Sequence, residues 1–132
     1  MDEPLFRLVC GPAALQGAPE GWAAELLRDG HVALLPGDGA LAGINEIAHQ
    51  LDVPTVAVVR TEETPEAQDE TVIAHAGSLP LVWLAASFSD RARRWARERG
   101  PMTLLVEVDG ALPEQERRRI DRFVALLGRQ AE

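Results

Sequence analysis

Five short apolar runs, Phe6–Cys10, Val32–Leu35, Thr55–Val59, Leu81–Ala86 and Thr103–Val108, recur along the chain, each followed by a turn and then by a segment with helical spacing. Runs of this length suit buried strands. Strands that alternate with helices suit βαβ units, whose right-handed crossovers lay helices on both faces of a parallel sheet. The alternation therefore predicts an α/β fold. TVAVV and LVWLAA carry almost no polar residues, which places them in the middle of the sheet, with VALL and the alternating TLLVEV at its edges.

The expected architecture is a three-layer sandwich with a five-stranded parallel sheet, flavodoxin-like or Rossmann-like, in the order 2-1-3-4-5. With 132 residues, 46% of them hydrophobic, the chain suits one domain over 1–132 with a proper core. Five helices are expected. The first lies within Pro19 to Asp29 and uses Ala23, Leu26 and Leu27. The one beginning TPEAQDE has Thr64 to cap it, Pro65 at its first position, and Glu66, Asp69 and Glu70 to complement its dipole. Ser87 or Ser89 caps the next. In the last, Ile120, Phe123, Val124 and Leu127 form one apolar stripe.

Charge is distributed unevenly. Residues 1–86 hold thirteen acids against three arginines, net −10, whereas residues 87–132 hold ten arginines against eight acids, net +2. Nucleic-acid affinity needs a concentrated basic face, so nucleic acid is not an expected partner. The arginine runs 91–99 and 117–122 are interspersed with acids and fit solvated helix surfaces. The acidic start MDEPLF is unlike a secretory signal, and no apolar stretch is long enough to cross a bilayer, so a cytoplasmic protein without membrane partners is expected. Cys10 is the only cysteine, and His31, His49 and His75 lie far apart in sequence, which leaves no metal-ligand spacing and no expected cofactor.

Ligands of open α/β sheets bind outside the carboxyl ends of the strands, where the strand order reverses. Those ends are Cys10-Gly11, Pro36-Gly37-Asp38-Gly39, Arg60-Thr61, Ala86-Ser87-Phe88-Ser89 and Asp109-Gly110. Gly11, Gly37 and Gly39 let backbone approach a ligand, and Ser87 and Ser89 offer hydroxyls. The same glycines also make tight turns and the same serines cap helices. The chain has no lysine for a Walker loop, and Gly37, Gly39 and Gly43 are spaced one residue too far for a dinucleotide fingerprint. Asp38 either caps its own helix or accepts hydrogen bonds from ribose hydroxyls.

A strand ending in Pro36-Gly37, a glycine turn, a helix carrying Glu46-Ile47-Ala48 and then Leu51-x-x-Pro54-x-Val56-x-Val58 resembles two Rossmann-like families. These are the nucleoside 2-deoxyribosyltransferases and the lysine-decarboxylase-like phosphoribohydrolases that release cytokinins. The resemblance implies cleavage of an N-glycosidic bond, with Glu46 as the catalytic carboxylate and Gly37, Asp38 and Gly39 as the turn that holds the sugar or its phosphate. It covers about a fifth of the chain. The second family's Pro-Gly-Gly-x-Gly-Thr-x-x-Glu is altered here by Asp38 in a glycine position, the missing threonine and a later glutamate.

At 100° per residue, Leu41, Ile44, Ala48 and Leu51 point one way and must face the sheet. Glu46 then faces solvent, and Asn45 lies at the flank of the stripe, better placed to reach the strand ends. Two functions follow from these residues. One is a protein that binds, or processes the glycosidic bond of, a nucleoside-like or nucleotide-like ligand. The other is a non-catalytic Rossmann-like module that binds a protein partner, including a second copy of itself as a homodimer, through a helix or an edge strand.

Overall fold

The computed structural model describes residues 4–131 apart from 17, 20, 36–39, 52–55 and 61, with the backbone alone at 40–44 and 131. The strands are β1 (Phe6–Cys10), β2 (Gly30–Leu34), β3 (Ala57–Val58), β4 (Leu81–Ala85) and β5 (Thr103–Glu107). Between and after them run α1 (Pro12–Leu15), α2 (Trp22–Leu26), α3 (Ala40–Gln50), α4 (Pro65–Ala76), α5 (Asp90–Arg99) and α6 (Glu114–Ala131). α2 falls within Pro19 to Asp29, where the first helix is expected, and α1 is a short additional helix ahead of it. All neighbouring strands are parallel, and the fold is a Rossmann-like α/β sandwich. Among the described residues no helix is long and apolar enough to cross a membrane.

The strand order is β3-β2-β1-β4-β5, not 2-1-3-4-5. β2, expected at an edge, lies between β1 and β3, and β3, expected in the middle, is an edge strand that pairs through two residues, Ala33 with Ala57 and Leu34 with Val58. Apolar content misplaced both because it measures burial under helices as well as flanking by strands. Val59, at the end of β3, is buried in a cluster with Val72 and Ala76 of α4, so this strand is apolar for its face rather than for its neighbours. Conversely, central β1 carries a charge, since the Arg7 guanidinium donates to the carbonyl of His75 in the last turn of α4. A cation at a helix carboxyl terminus is stabilised by the carbonyls left open there.

The two faces of the sheet have separate cores. On the first, Phe6, Leu8 and Cys10 of β1 pack with Leu34, Val82, Leu84 and Val106 beneath α1, α2, α3 and α6. Ile120 and Leu127 are buried there and Phe123 and Val124 half-buried, as the stripe of α6 predicts. Gly30 is required at this face, because a Cβ would fall 2.4 Å from Cζ of the buried Phe6 ring. On the second face, Val9, Ala33, Leu81 and Trp83 meet α4 and α5. The Trp83 ring stands edge-on to Phe88, with centroids 5.1 Å apart, and to Trp95, at 6.4 Å. Edge-to-face pairs at this range add to area burial. Thr64 caps α4 as expected, its Oγ1 accepting from the Ala67 amide at 3.1 Å, with Pro65 at the first helical position.

Candidate functional site

In the order β3-β2-β1-β4-β5 the chain runs outward from β1 through β2 to β3, then returns to the other side of β1 with β4 and β5. The reversal, and with it the crevice in which ligands bind in such sheets, falls between the carboxyl ends of β1 and β4. Gly11 follows β1, and Ala86 to Ser89 follow β4. In the order expected from sequence the reversal would have fallen between β1 and β3 instead.

Gly11 opens α1 with φ −77° and ψ 157°, a conformation that any residue adopts. A Cβ placed on it would have one neighbour, the Leu35 carbonyl oxygen, at 3.8 Å, an ordinary contact. Among the described residues neither backbone nor packing demands glycine here. Cys10, one residue earlier, is fully buried, and desolvation pushes its pKa from 9.0 up to about 12. A thiol held neutral in the core packs as a small apolar group and is no nucleophile at neutral pH.

After β4 the chain alternates between solvent and core. Ala86 and Ser87 are exposed, Phe88 folds back onto Trp83, and Ser89 caps α5. The Ser89 hydroxyl is engaged twice within the protein, since Oγ accepts from the Ala92 amide at 3.1 Å and donates to Asp69 Oδ2 of α4. Asp69, only 9% exposed, is the buried charged residue among the described ones. Sequence reasoning placed it among the dipole-complementing acids and missed this bond. The available signal was its spacing of three and seven from Val72 and Ala76, which puts it on the buried side of α4. Ser87 is exposed, and its hydroxyl makes no hydrogen bond among the described residues.

The glycine turn expected to hold the sugar, Gly37, Asp38 and Gly39, lies outside the described residues. α3, which follows it, is anchored by fully buried Ile47, whereas Asn45 and Glu46 are both exposed. Ile47, outside the expected stripe, is the buried residue among those of α3 whose side chains are described, and Glu46 is exposed, as expected. Glu46 Oε2 accepts from Gln16 Nε2 at 3.3 Å, a contact that ties the end of α1 to the middle of α3. As the seventh residue of α3, Glu46 lies about 9 Å along the axis from the helix start.

The loop after β3 satisfies itself. Gln68 donates to the Arg60 carbonyl and accepts from the Glu62 amide, both at 3.0 Å, while Glu62 Oε1 receives Arg60 Nε at 2.5 Å and Thr71 Oγ1 at 3.2 Å. After β5, Gly110 turns the chain with φ 91°, a left-handed conformation that favours glycine. Among the described residues no group of three His, Cys, Asp or Glu could hold a metal ion. Gly11 and Ser87 thus follow the two strands between which the order reverses, Ser89 is committed to a cap, and Asn45 and Glu46 are exposed on α3. No family model, no curated protein and no solved structure matches the chain.

Proposed function

We propose that the protein binds a nucleoside-like or nucleotide-like small molecule in the crevice between the carboxyl ends of β1 and β4. The observation that carries this reading is the strand order, whose reversal between β1 and β4 is where sheets of this kind bind ligands, with Gly11 and Ser87 in the segments that follow these two strands. Gly11 lets the ligand approach backbone, and Ser87 offers a hydroxyl. The segment Gly37-Asp38-Gly39, which follows β2 in sequence, carries amides and a carboxylate of a kind suited to sugar hydroxyls. Glu46 is exposed and in the middle of its helix. General acid–base catalysis asks for a partly desolvated carboxyl within reach of the substrate, so binding rather than glycosidic cleavage is the function assigned.

A thermal-shift screen against nucleosides, nucleotides and sugar phosphates tests this. A ligand at 100 times its dissociation constant adds roughly 2.7 kcal/mol of stability. Gly11→Leu, whose Cβ the fold accommodates, should abolish the shift while leaving the unliganded protein folded. Absence of a shift with every compound, or a shift unchanged by Gly11→Leu, would sink the assignment. Turnover of a nucleoside lost in Glu46→Gln would restore a catalytic role for that residue.

A further inference from the structure

We propose that the outer edge of β5, with the arginine-lined groove beside it, takes up an extended acidic segment of a partner protein as an added strand. This is independent of ligand binding at the β1–β4 crevice. β5 bonds to β4 on one side, and among the described residues nothing pairs with its other side. The Val108 amide donates inward, to the Ala85 carbonyl at 2.9 Å. Parallel strands alternate the direction of their amides and carbonyls from residue to residue, so those of Thr103, Leu105 and Glu107 point outward. Three residues therefore offer backbone groups to a sixth strand.

Beside this edge lies a groove of about 860 Å³, lined by Leu104 and Leu105 of β5, Arg93, Arg94 and Arg97 of α5, and Arg119 of α6 among others. A five-residue strand, at about 3.3 Å per residue, 4.8 Å from its neighbour and in a layer about 10 Å thick, occupies roughly 800 Å³. The space matches. Leu105 belongs to the core face under α5 and Leu104 to the opposite one, so alternate side chains of an added strand would meet an apolar contact on each face. Partners that add a strand in this way take affinity from main-chain bonds and specificity from side-chain contacts.

The charges select the occupant. Arg93 pairs with Glu107 and Arg119 with Glu116, but Arg94 and Arg97 make no ion pair among the described residues. Both are exposed, and among the described residues Asp90 is the one acid lining the groove, while Glu107 and Glu116, which line the adjoining cavity, are already paired with Arg93 and Arg119. A second copy joined edge to edge about a two-fold axis would set these arginines against their own counterparts, which disfavours it. An acidic strand meets them with opposite charge. The net −10 of residues 1–86 against +2 of residues 87–132 makes this the side of the molecule that a polyanionic chain approaches.

The probe is a fluorescein-labelled peptide of alternating glutamate and valine, seven residues long, followed by anisotropy against the full chain. We expect saturable binding that weakens as salt rises, no binding of the lysine–valine counterpart, and a loss of roughly tenfold or more in affinity for the double variant Arg94→Glu, Arg97→Glu. Both arginines are exposed, so the variant should keep its circular dichroism spectrum and melting temperature. The same acidic peptide N-methylated at alternate residues on its pairing edge should lose binding, which simple charge attraction would not explain. Equal binding of the N-methylated or the lysine peptide, no binding of the acidic peptide at millimolar concentration, or full affinity in the double variant would overturn the proposal. So would tighter binding of a single-stranded oligonucleotide, or a concentration-dependent dimer that the double variant abolishes.

Discussion

The two faces of the sheet are built from different chemistry. Beneath α1, α2, α3 and α6 the buried side chains are aliphatic apart from Phe6 and Cys10, and the side-chain hydrogen bonds there are exposed, as from Trp22 Nε1 to Asp121 at 3.2 Å, or part-buried bonds to backbone carbonyls, as from Gln50 to Leu15 and from Arg117 to Leu112. Beneath α4 and α5 the core is aromatic and polar groups enter it. Arg7 donates to the His75 carbonyl, Arg99 donates to the Leu79 carbonyl and stacks 4.6 Å above the Trp95 ring, and Ser89 bonds buried Asp69. The first face draws its stability mainly from buried apolar area. The second depends on polar groups being satisfied, and therefore on protonation and on the identity of single side chains.

Trp83 gives the largest test of that contrast. It is 2% exposed at the centre of the aromatic cluster, yet its Nε1 has no hydrogen-bond partner among the described residues. Trp83→Ala should cost about 3–5 kcal/mol in urea unfolding, as large-to-small changes in cores do. Trp83→Phe should cost far less than its lost area suggests, because it also removes an unsatisfied buried donor worth about 1–3 kcal/mol. A large loss in Trp83→Phe would mean that the indole N–H is satisfied, and the second face would be as well bonded as the first.

A smaller effect is expected at Ser89. Ser89→Ala removes a cap, a loss of about 0.5–2 kcal/mol, and leaves the Asp69 carboxylate without its donor. A double-mutant cycle with Asp69→Ala should show coupling of roughly 0.5 kcal/mol or more. Additive losses would reduce Ser89 to a cap alone. Nucleoside binding unaffected by Ser89→Ala would agree with a hydroxyl committed to the protein, whereas loss of binding in a folded variant would return Ser89 to the crevice.

How far the chain could be read in advance follows the same division. Apolar periodicity marked every strand and the stripe of α6, because burial of one face leaves a mark at fixed spacing. Caps were legible at Thr64 and Ser89, since they depend on neighbours in sequence. The order of the strands was not, because it rests on contacts such as Arg7 with His75, sixty-eight positions apart, that place a charge in the central strand. The same holds at the crevice. Gly11 and Ser87 were visible as strand ends, but the reversal that brings them together depends on β1 pairing with β4. The groove along β5 was hidden for a related reason. An interspersed run of arginines and acids looks solvated in one dimension, and only folding shows that Arg94 and Arg97 share a groove with a free strand edge.

The smallest expected effect is a dependence of the second face on pH. His75 sits in the last turn of α4, its ring centroid 6.3 Å from that of His31, and its buried Nε2 has no partner among the described residues. Desolvation, then the charge of Arg7, then His31, lower its pKa below the ordinary 6.5. The folded state therefore binds fewer protons than the unfolded chain between 6.5 and the lowered value, and stability rises with pH across that window. The contribution is intact above 6.5, is lost as pH falls through the window, and changes no further below it. Urea midpoints measured between pH 8 and pH 5 should fall for the native protein and fall less for His75→Gln. Arg7→Gln should narrow the window by removing one of the repelling charges, while Leu8→Ala on the opposite face should lower every midpoint and leave the pH dependence as it was. An identical fall in His75→Gln would assign the dependence to other groups and erase the chemical difference between the two faces.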